Sequence, residues 1–123
     1  MTKKEMLEKT ISTHTLEIEN CRIKSTALGL ENHNVMSMDL NLEGNGWGVS
    51  FGGFRIDGEY GMECLKELLN TLEVGKYEDL KGMYVRALNE GLGGRCLAVG
   101  HLMKDKWFSF KEFYDRMKRE RIQ

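Results

Sequence analysis

The stretch VMSMDLNLEGNGWGVSF, residues 35–51, predicts a β-hairpin and with it the class of fold. Apolar side chains alternate with polar ones on both sides of a short central turn, so they share one face of each strand. The apolar positions are Met36, Met38, Leu40 and Leu42 before the turn, and Trp47, Val49 and Phe51 after it. The turn contains Asn45-Gly46, a pair that tolerates the positive φ values of a tight hairpin. Two antiparallel strands with one buried face are therefore expected here.

The same alternation predicts three further strands, and glycines mark the loops between them. Leu16 and Ile18 alternate with glutamates, and a bulge is expected near Cys21 before the apolar pattern resumes at Ile23. A glycine pair before Phe54 interrupts the third strand. The other expected strands are residues 83–88 and 95–101, and the expected loops are residues 29–34 and 89–94.

Helical periodicity predicts two helices. Residues 62–72 carry leucines at i, i+3, i+4 and i+7, which is the spacing of one helix face. A second helix is predicted after Ser109, which has capping-box spacing to the glutamate three residues later. Thr2 and Glu5 have the same spacing, but the polar composition around them favours a frayed arm over residues 1–12.

Residues 1–123 are expected to form a single α+β domain, an antiparallel sheet of about five strands with two packed α-helices. The composition, 41% hydrophobic and 30% charged, is typical of a globular chain. Three widely spaced cysteines without a CxxC pair argue against a disulfide framework and a common type of zinc site, and favour a reducing cytoplasm. The charged N-terminus lacks the apolar region of a signal peptide, and no apolar run has the length of a membrane span. A net charge of −1 gives no excess for non-specific DNA binding.

The sequence contains no catalytic constellation, so the chain is expected to bind a ligand rather than transform it. Its histidines lack metal-ligand spacing such as HxxxH, and there is no Gly-x-Ser-x-Gly elbow. Cys64 falls on the apolar face of a predicted helix, and Cys96 alternates with Ala98 on a predicted strand, so both are expected in the core. The sequence thus predicts no catalytic residue, no metal ligand and no cofactor.

Two Gly-Gly pairs each stand before an arginine. The two segments are Gly52-Gly53-Phe54-Arg55 and Gly93-Gly94-Arg95. Bare backbone amides beside a guanidinium suit a phosphate, and an aromatic ring suits a nucleobase. Arg86, on the predicted fourth strand, is a third candidate cation. The alternative interpretation is structural: a hairpin and a bulge, with solvated or salt-bridged arginines.

Three segments resemble one family of small phage and prophage proteins. They are GWGVSFGGFRID (46–57), LLNTLEVGKYEDLKGMYVR (68–86) and AVGHLMKDKWF (98–108), and the resemblance extends from about residue 13 to about residue 110. The family includes the first-described type of Thoeris anti-defence protein, a sponge for cyclic ADP-ribose signals. The resemblance implies that the chain sequesters such a signal intact in the host bacterial cytoplasm, at a pocket between protomers of a homo-oligomer. For some members it also implies that cyclic oligonucleotides bind at separate sites.

The resemblance also implies which residues bind the ligand. Phe54 is expected to stack on adenine, and Arg55 and Arg86 are expected to bind the pyrophosphate. Asn89 is expected to bind a ribose hydroxyl, and Arg95 flanks the same loop. Two alternatives remain open: an enzyme that hydrolyses the same class of signal, and an inhibitor that binds a host defence protein through the basic C-terminal helix.

Overall fold

A computed structural model describes residues 1–31, 34–91 and 94–122, with the side chains of all of these except 31, 53–55, 121 and 122. In chain order, its elements are α1 (Lys3–Lys9), β1 (Leu16–Glu31), β2 (Val35–Gly44), β3 (Trp47–Arg55), α2 (Gly61–Leu72), a 3₁₀ turn (Tyr77–Leu80), β4 (Tyr84–Glu90), β5 (Cys96–His101), β6 (Trp107–Phe108) and α3 (Phe110–Ile122). Among these described residues, no helix has the length and apolar character needed to cross a membrane.

The strands form one antiparallel sheet in the order β3-β2-β1-β4-β5-β6, which confirms the expected α+β class. The described residues form six strands and three α-helices, where about five and two were expected. The additional strand, β6, has two residues and is too short for alternation to reveal it. The additional helix, α1, is capped by Thr2, whose side chain accepts a hydrogen bond from the N–H of Glu5 at 3.2 Å. Residues 3–9 are therefore helical in place of the expected frayed arm, and Met6 is buried at 1% exposure.

β1 is shared by the two halves of the sheet. Residues 16–22 of this strand pair with β4, and residues 22–31 pair with β2. The two halves are consequently offset along β1, and Arg22 is the position that pairs with both neighbours, with Glu43 on one side and Tyr84 on the other.

Two loop boundaries and one bulge differ from expectation. Residues 29–31 belong to β1 because they pair with β2, and Asn89 and Glu90 belong to β4 because they pair with β1. The bulge lies at Lys24, which the β1–β2 register skips, rather than near Cys21. In each case, pairing with a long partner strand outweighs the local signal of a glycine or a polar residue.

Helices cover the two faces of the sheet unequally. α2 and α3 pack on one face around Leu68, Leu72 and Phe113, which are at most 1% exposed. On the other face, α1 covers a cluster in which Met6 packs with Trp107, together with side chains of β4, β5 and the start of β1. The rest of that second face is termed the open face. Its positions, given by the register, are Asn20, Arg22, Ser25, Ala27, Asp39, Asn41, Glu43, Gly48, Ser50, Tyr84 and Arg86.

Glu73 fastens the segment after β5 to the end of α2. Its carboxylate accepts hydrogen bonds from Nζ of Lys104 at 2.8 Å and from Nζ of Lys106 at 3.1 Å. These bonds to two ammonium groups lower the pKa of Glu73 from 4.5 to about 2. Lys106 Nζ also donates to the carbonyl oxygen of Asn70 at 2.9 Å, so the segment is tied to the last turn of the helix.

We expect Glu73→Gln to lower the free energy of unfolding at neutral pH but not in strong acid. The pKa of Glu73 is lower in the folded state, so its carboxylate contributes stability above pH 4.5, and this contribution is lost as the pH falls toward about 2. Urea unfolding midpoints of wild type and variant across this pH range measure the effect. Glu78→Gln, at an exposed glutamate outside the cluster, is the control. If Glu73→Gln is still less stable than wild type by the same amount near pH 2, the assignment of this role to the Glu73 carboxylate is wrong.

Candidate functional site

Four side chains of β1 and β4 lie side by side on the open face. The register pairs Arg22 with Tyr84 and Asn20 with Arg86. Directly opposite residues of an antiparallel pair have Cβ atoms about 4.5–5.5 Å apart, so each pair consists of close neighbours. Asn20, Arg22 and Tyr84 line one depression together. The ring of Tyr84 is 59% exposed. We term Asn20, Arg22, Tyr84 and Arg86 the open-face patch.

Strand alternation places these side chains outward because their neighbours are core residues. Cys21, between the two patch residues of β1, is 3% exposed, and Val85, between the two of β4, is 0% exposed. Burial of these two apolar side chains against α2 and α3 fixes the orientation of both strands, since a shift of one residue would exchange the faces. The patch is thus held on the rigid part of the sheet.

The patch borders an open depression of about 340 Å³ at the end of β2. It is lined by Asn20, Cys21, Arg22, Glu43, Gly44, Asn45 and Tyr84. A second open depression, of about 480 Å³, adjoins it over β1–β3 and includes Lys24, Ser25, Asn41, Glu43 and Ser50 in its lining. Both are surface hollows rather than enclosed cavities, so a ligand bound to one protomer stays partly in solvent.

Arg22 has a buried donor without a hydrogen bond. Its Nε is shielded from solvent and has no hydrogen-bond partner among the described residues. Glu43 Oε1 lies 3.7 Å away, within range of an ion pair but too far for a hydrogen bond. A buried donor left unsatisfied costs about 1–3 kcal/mol. The Arg22 side chain as a whole is 39% exposed, so a ligand in the adjacent depression contacts the rest of the guanidinium rather than Nε.

Arg86 is largely occupied by contacts within the protein. Its Nε donates to the carbonyl oxygen of His101 at 2.9 Å, and Nη2 donates to that of Lys104 at 2.8 Å. The guanidinium also lies over the ring of Trp107, 4.8 Å from its centroid. Arg86 therefore brings positive charge to the patch while it holds the segment after β5 in place. Its expected contact with a pyrophosphate stays a prediction.

Phe54 and Arg55 lie far from the patch in the same chain. They pair with Met38 and Ser37 at the end of β3, and their side chains lie outside the described part of the structure. Ser37 pairs in turn with Gly29 of β1, nine residues beyond Asn20. With about 3.3 Å per residue and 4.8 Å per strand, the backbones of Arg55 and Arg86 are separated by on the order of 30 Å. One protomer does not bring these two arginines together.

Asn89 and Arg95 lie at the opposite end of β4 from Tyr84. Asn89 is 7% exposed, and its Oδ1 accepts no hydrogen bond among the described residues, so it lies beneath the surface. Arg95 is 80% exposed at its side chain, and its Nε donates to Glu90 Oε1 at 3.1 Å. Of the Gly93-Gly94 pair, residue 93 lies outside the described residues. The structure thus makes Arg95 accessible and Asn89 inaccessible.

Glu90 organises that end of the sheet. Besides Arg95, its carboxylate accepts a hydrogen bond from Ser12 Oγ at 2.8 Å and lies 3.1 Å from Nδ1 of His14. The hydrogen bond from Ser12, followed by that from Arg95, lowers the pKa of Glu90. This cluster ties the segment before β1 to the end of β4, which is a structural role.

The cysteines are thiols in the core rather than nucleophiles. Burial raises the pKa of Cys21 and of Cys64 to about 11, and that of Cys96 to about 12. At neutral pH these groups are protonated, and a protonated thiol is a poor nucleophile. Within the described ranges, no group of three His, Cys, Asp or Glu side chains is placed to hold a metal ion. The open-face patch supplies groups that bind: two guanidiniums, one amide and one phenol ring.

The sequence interpretation missed Asn20, Arg22 and Tyr84. The signal was present as alternation, since Asn20 and Arg22 flank Cys21 and the segment Tyr84-Val85-Arg86 has the same polar-apolar-polar order. Their juxtaposition depends on the β1–β4 register, which local patterns do not give. Comparisons with protein-family models, curated proteins and solved structures found no match to this chain. The residues of the open-face patch and their geometry are therefore the basis for assigning a function.

Proposed function

We propose that the chain is a phage anti-defence sponge that binds a cyclic ADP-ribose-type nucleotide at the open-face patch and holds it without cleavage. The observation that carries the proposal is the exposed ring of Tyr84, which lines one depression with Arg22 and lies on the same sheet face as Arg86. The resemblance of the sequence to the sponge family supports the same class of ligand. The proposed site of action is the cytoplasm of the host bacterium.

Each group of the patch has a distinct part in this proposal. The ring of Tyr84 stacks on the base, an interaction worth about 1–3 kcal/mol. Arg22, whose side chain is 39% exposed, binds a phosphate oxygen through the exposed part of its guanidinium, and the fixed charge of Arg86 attracts the diphosphate.

A second protomer completes the site in this proposal. The depression beside the patch is open, whereas a sponge must release its ligand slowly. Because Phe54 and Arg55 are on the order of 30 Å from the patch along the sheet of one chain, they serve the same ligand only if a second copy contributes them. Enclosure between two copies would also lower the local dielectric and strengthen the charged hydrogen bonds.

The test uses cyclic ADP-ribose as the probe. Binding is measured by isothermal titration calorimetry, and the mass of the complex by native mass spectrometry. The protein is then denatured and the nucleotide quantified. Intact cyclic ADP-ribose and a complex of two or more chains support the proposal. Recovery of ADP-ribose instead supports the hydrolase alternative, and an absence of binding overturns both.

Tyr84→Ala is expected to weaken binding of cyclic ADP-ribose by about 5- to 150-fold, the equivalent of the 1–3 kcal/mol of a stacked base. Tyr84→Phe keeps the ring and is expected to bind like wild type. Met103→Ala is the matched surface control, since Met103 is 84% exposed and outside the patch. The affinities of all variants for cyclic ADP-ribose are measured by calorimetry. If Tyr84→Ala is folded and binds like wild type, Tyr84 is not part of the binding site.

The alternative of a protein-binding inhibitor finds less support in the basic helix. Arg116 of α3 forms ion pairs with Glu67 and Glu112 and stacks on Phe113, so it is used within the fold. Loss of Arg116 would loosen α3 rather than report on a partner. A fair test of this alternative neutralises only the exposed Lys118 and Arg119 and measures capture of host proteins.

A further inference from the structure

Glu43 occupies a distinctive position at the edge of the open-face patch. It lines both open depressions, and it is the one carboxylate among the described residues that line either of them. Its side chain is 44% exposed. A carboxylate next to the Arg22 guanidinium reduces the attraction of the site for a bare phosphate, so its presence favours a ligand with hydrogen-bond donors as well as phosphates.

The ion pair between Glu43 and Arg22 leaves both groups available. The 3.7 Å between Arg22 Nε and Glu43 Oε1 exceeds a hydrogen bond, so the carboxylate oxygen retains its acceptor capacity. Arg22, 39% exposed at its side chain, carries further N–H donors on the same guanidinium besides the shielded Nε. The two residues are register partners on β1 and β2, so their backbones are held at a fixed spacing. A donor for phosphate and an acceptor for hydroxyl groups therefore stand side by side.

We infer that Glu43 makes the patch selective for ribonucleotides, by accepting hydrogen bonds from ribose hydroxyls while Arg22 binds the attached phosphate. A carboxylate is the group by which dinucleotide-binding folds recognise the ribose 2′-hydroxyl, and the chemistry does not depend on the fold. Tyr84, next to Arg22 in the register, then lies where the base of the same nucleotide can stack. This inference rests on the proposed function and assigns recognition of the ribose of that ligand to Glu43.

The experiment compares three probes on wild type, Glu43→Gln and Glu43→Ala: ADP, 2′-deoxy-ADP and inorganic pyrophosphate. Wild type is expected to bind ADP about tenfold more tightly than 2′-deoxy-ADP, as one hydrogen bond to a charged group predicts. Glu43→Ala is expected to bind both nucleotides equally and to bind pyrophosphate more tightly than wild type, because the repulsion is gone. Glu43→Gln keeps an acceptor without charge and is expected to lie between them.

Glu78→Ala removes an exposed carboxylate outside both depressions and controls for the change in net charge. Melting curves of each variant show that it is folded. If Glu43→Ala retains the tenfold preference for ADP, Glu43 does not recognise the ribose and the inference is overturned, although the proposed site stands. If cyclic ADP-ribose binds to wild type but none of the three probes does, Glu43 does not select ribonucleotides as a class and only the inference is overturned. If cyclic ADP-ribose does not bind either, the proposed site fails, and the inference fails with it.

Discussion

Trp107→Ala is expected to destabilise the fold by about 3–5 kcal/mol, the cost typical of deleting a large aromatic side chain from a core. Trp107 is 1% exposed and packs with Met6, Leu88 and Ala98, so its removal leaves a cavity between α1 and the sheet. Gly100 leaves room for the Trp107 ring, since a Cβ at Gly100 would lie 2.6 Å from Cδ2 of Trp107.

The measurement is urea unfolding of Trp107→Ala beside Met103→Ala, whose side chain is 84% exposed and whose replacement is expected to change stability little. Trp107→Ala also removes the ring under Arg86, whose guanidinium lies 4.8 Å from the ring centroid. Arg86 should therefore become more mobile, and the affinity for cyclic ADP-ribose should fall even at temperatures where the variant is folded. A loss of stability below 1 kcal/mol would show that Trp107 does not anchor this side of the sheet.

Gly61→Ala is expected to lower the free energy of unfolding by about 3 kcal/mol or more, or to prevent folding. The added methyl group would clash with backbone atoms, which cannot move away as a flexible side chain could. A Cβ at this first residue of α2 would overlap the carbonyl oxygen of Ile56. The backbone of Ile56 cannot easily move away from Gly61. The N–H of Ile56 donates to the carbonyl oxygen of Met36 at 2.8 Å, and the Ile56 side chain is 6% exposed. The helix start and the end of the β3 segment approach each other as closely as a glycine allows.

Gly58→Ala is the matched control, because it lies three residues earlier in the same connection and a Cβ there meets nothing within 4 Å. It is expected to unfold at the urea concentration of the wild type or slightly above it. Equal midpoints for the two alanine variants would show that the close approach at Gly61 relaxes without cost. Circular dichroism at low denaturant separates an unfolded Gly61→Ala chain from a folded but weakened one.

The β2–β3 hairpin shows how far the sequence alone predicts this fold. Alternation from Met36 to Phe51 and the Asn45-Gly46 turn are local signals, and the strands formed are β2 and β3 with that turn between them. The helix α2 follows equally from its leucine stripe. These elements were predictable because each carries its own periodicity over seven or more residues.

β6 and α1 are two elements that local sequence patterns do not predict. β6 exists because Trp107 and Phe108 pair with Gly100 and Val99, so its cause lies in β5 and not in its own two residues. α1 has a polar sequence, and it is held by burial of Met6 on a face of the sheet that is complete only after folding. Both depend on contacts between residues far apart in the chain.

Of the five ligand-binding residues expected from the sequence, Arg86 alone belongs to the open-face patch, and whether any of the five binds a ligand stays a prediction. Arginines and an aromatic ring near a nucleotide were expected, and Arg86 lies in the open-face patch. Its partners Arg22 and Tyr84 are 62 residues apart in the chain, and only the β1–β4 register makes them neighbours. Phe54 and Arg55 carry a stronger local signal, yet the strand order puts them at the far edge of the same sheet.

The offset of the two half-sheets has a thermodynamic consequence at Arg22. The half formed by β2 and β3 and the half formed by β4–β6 meet along β1, and Arg22 pairs with Glu43 of the first and Tyr84 of the second. A ligand held by these three side chains is bonded to both halves at their junction. The free energy of ligand binding therefore adds to the free energy needed to separate the two halves, because the ligand must be released before the junction opens. The bound protein should unfold as one cooperative unit, even where the free sheet can open in parts.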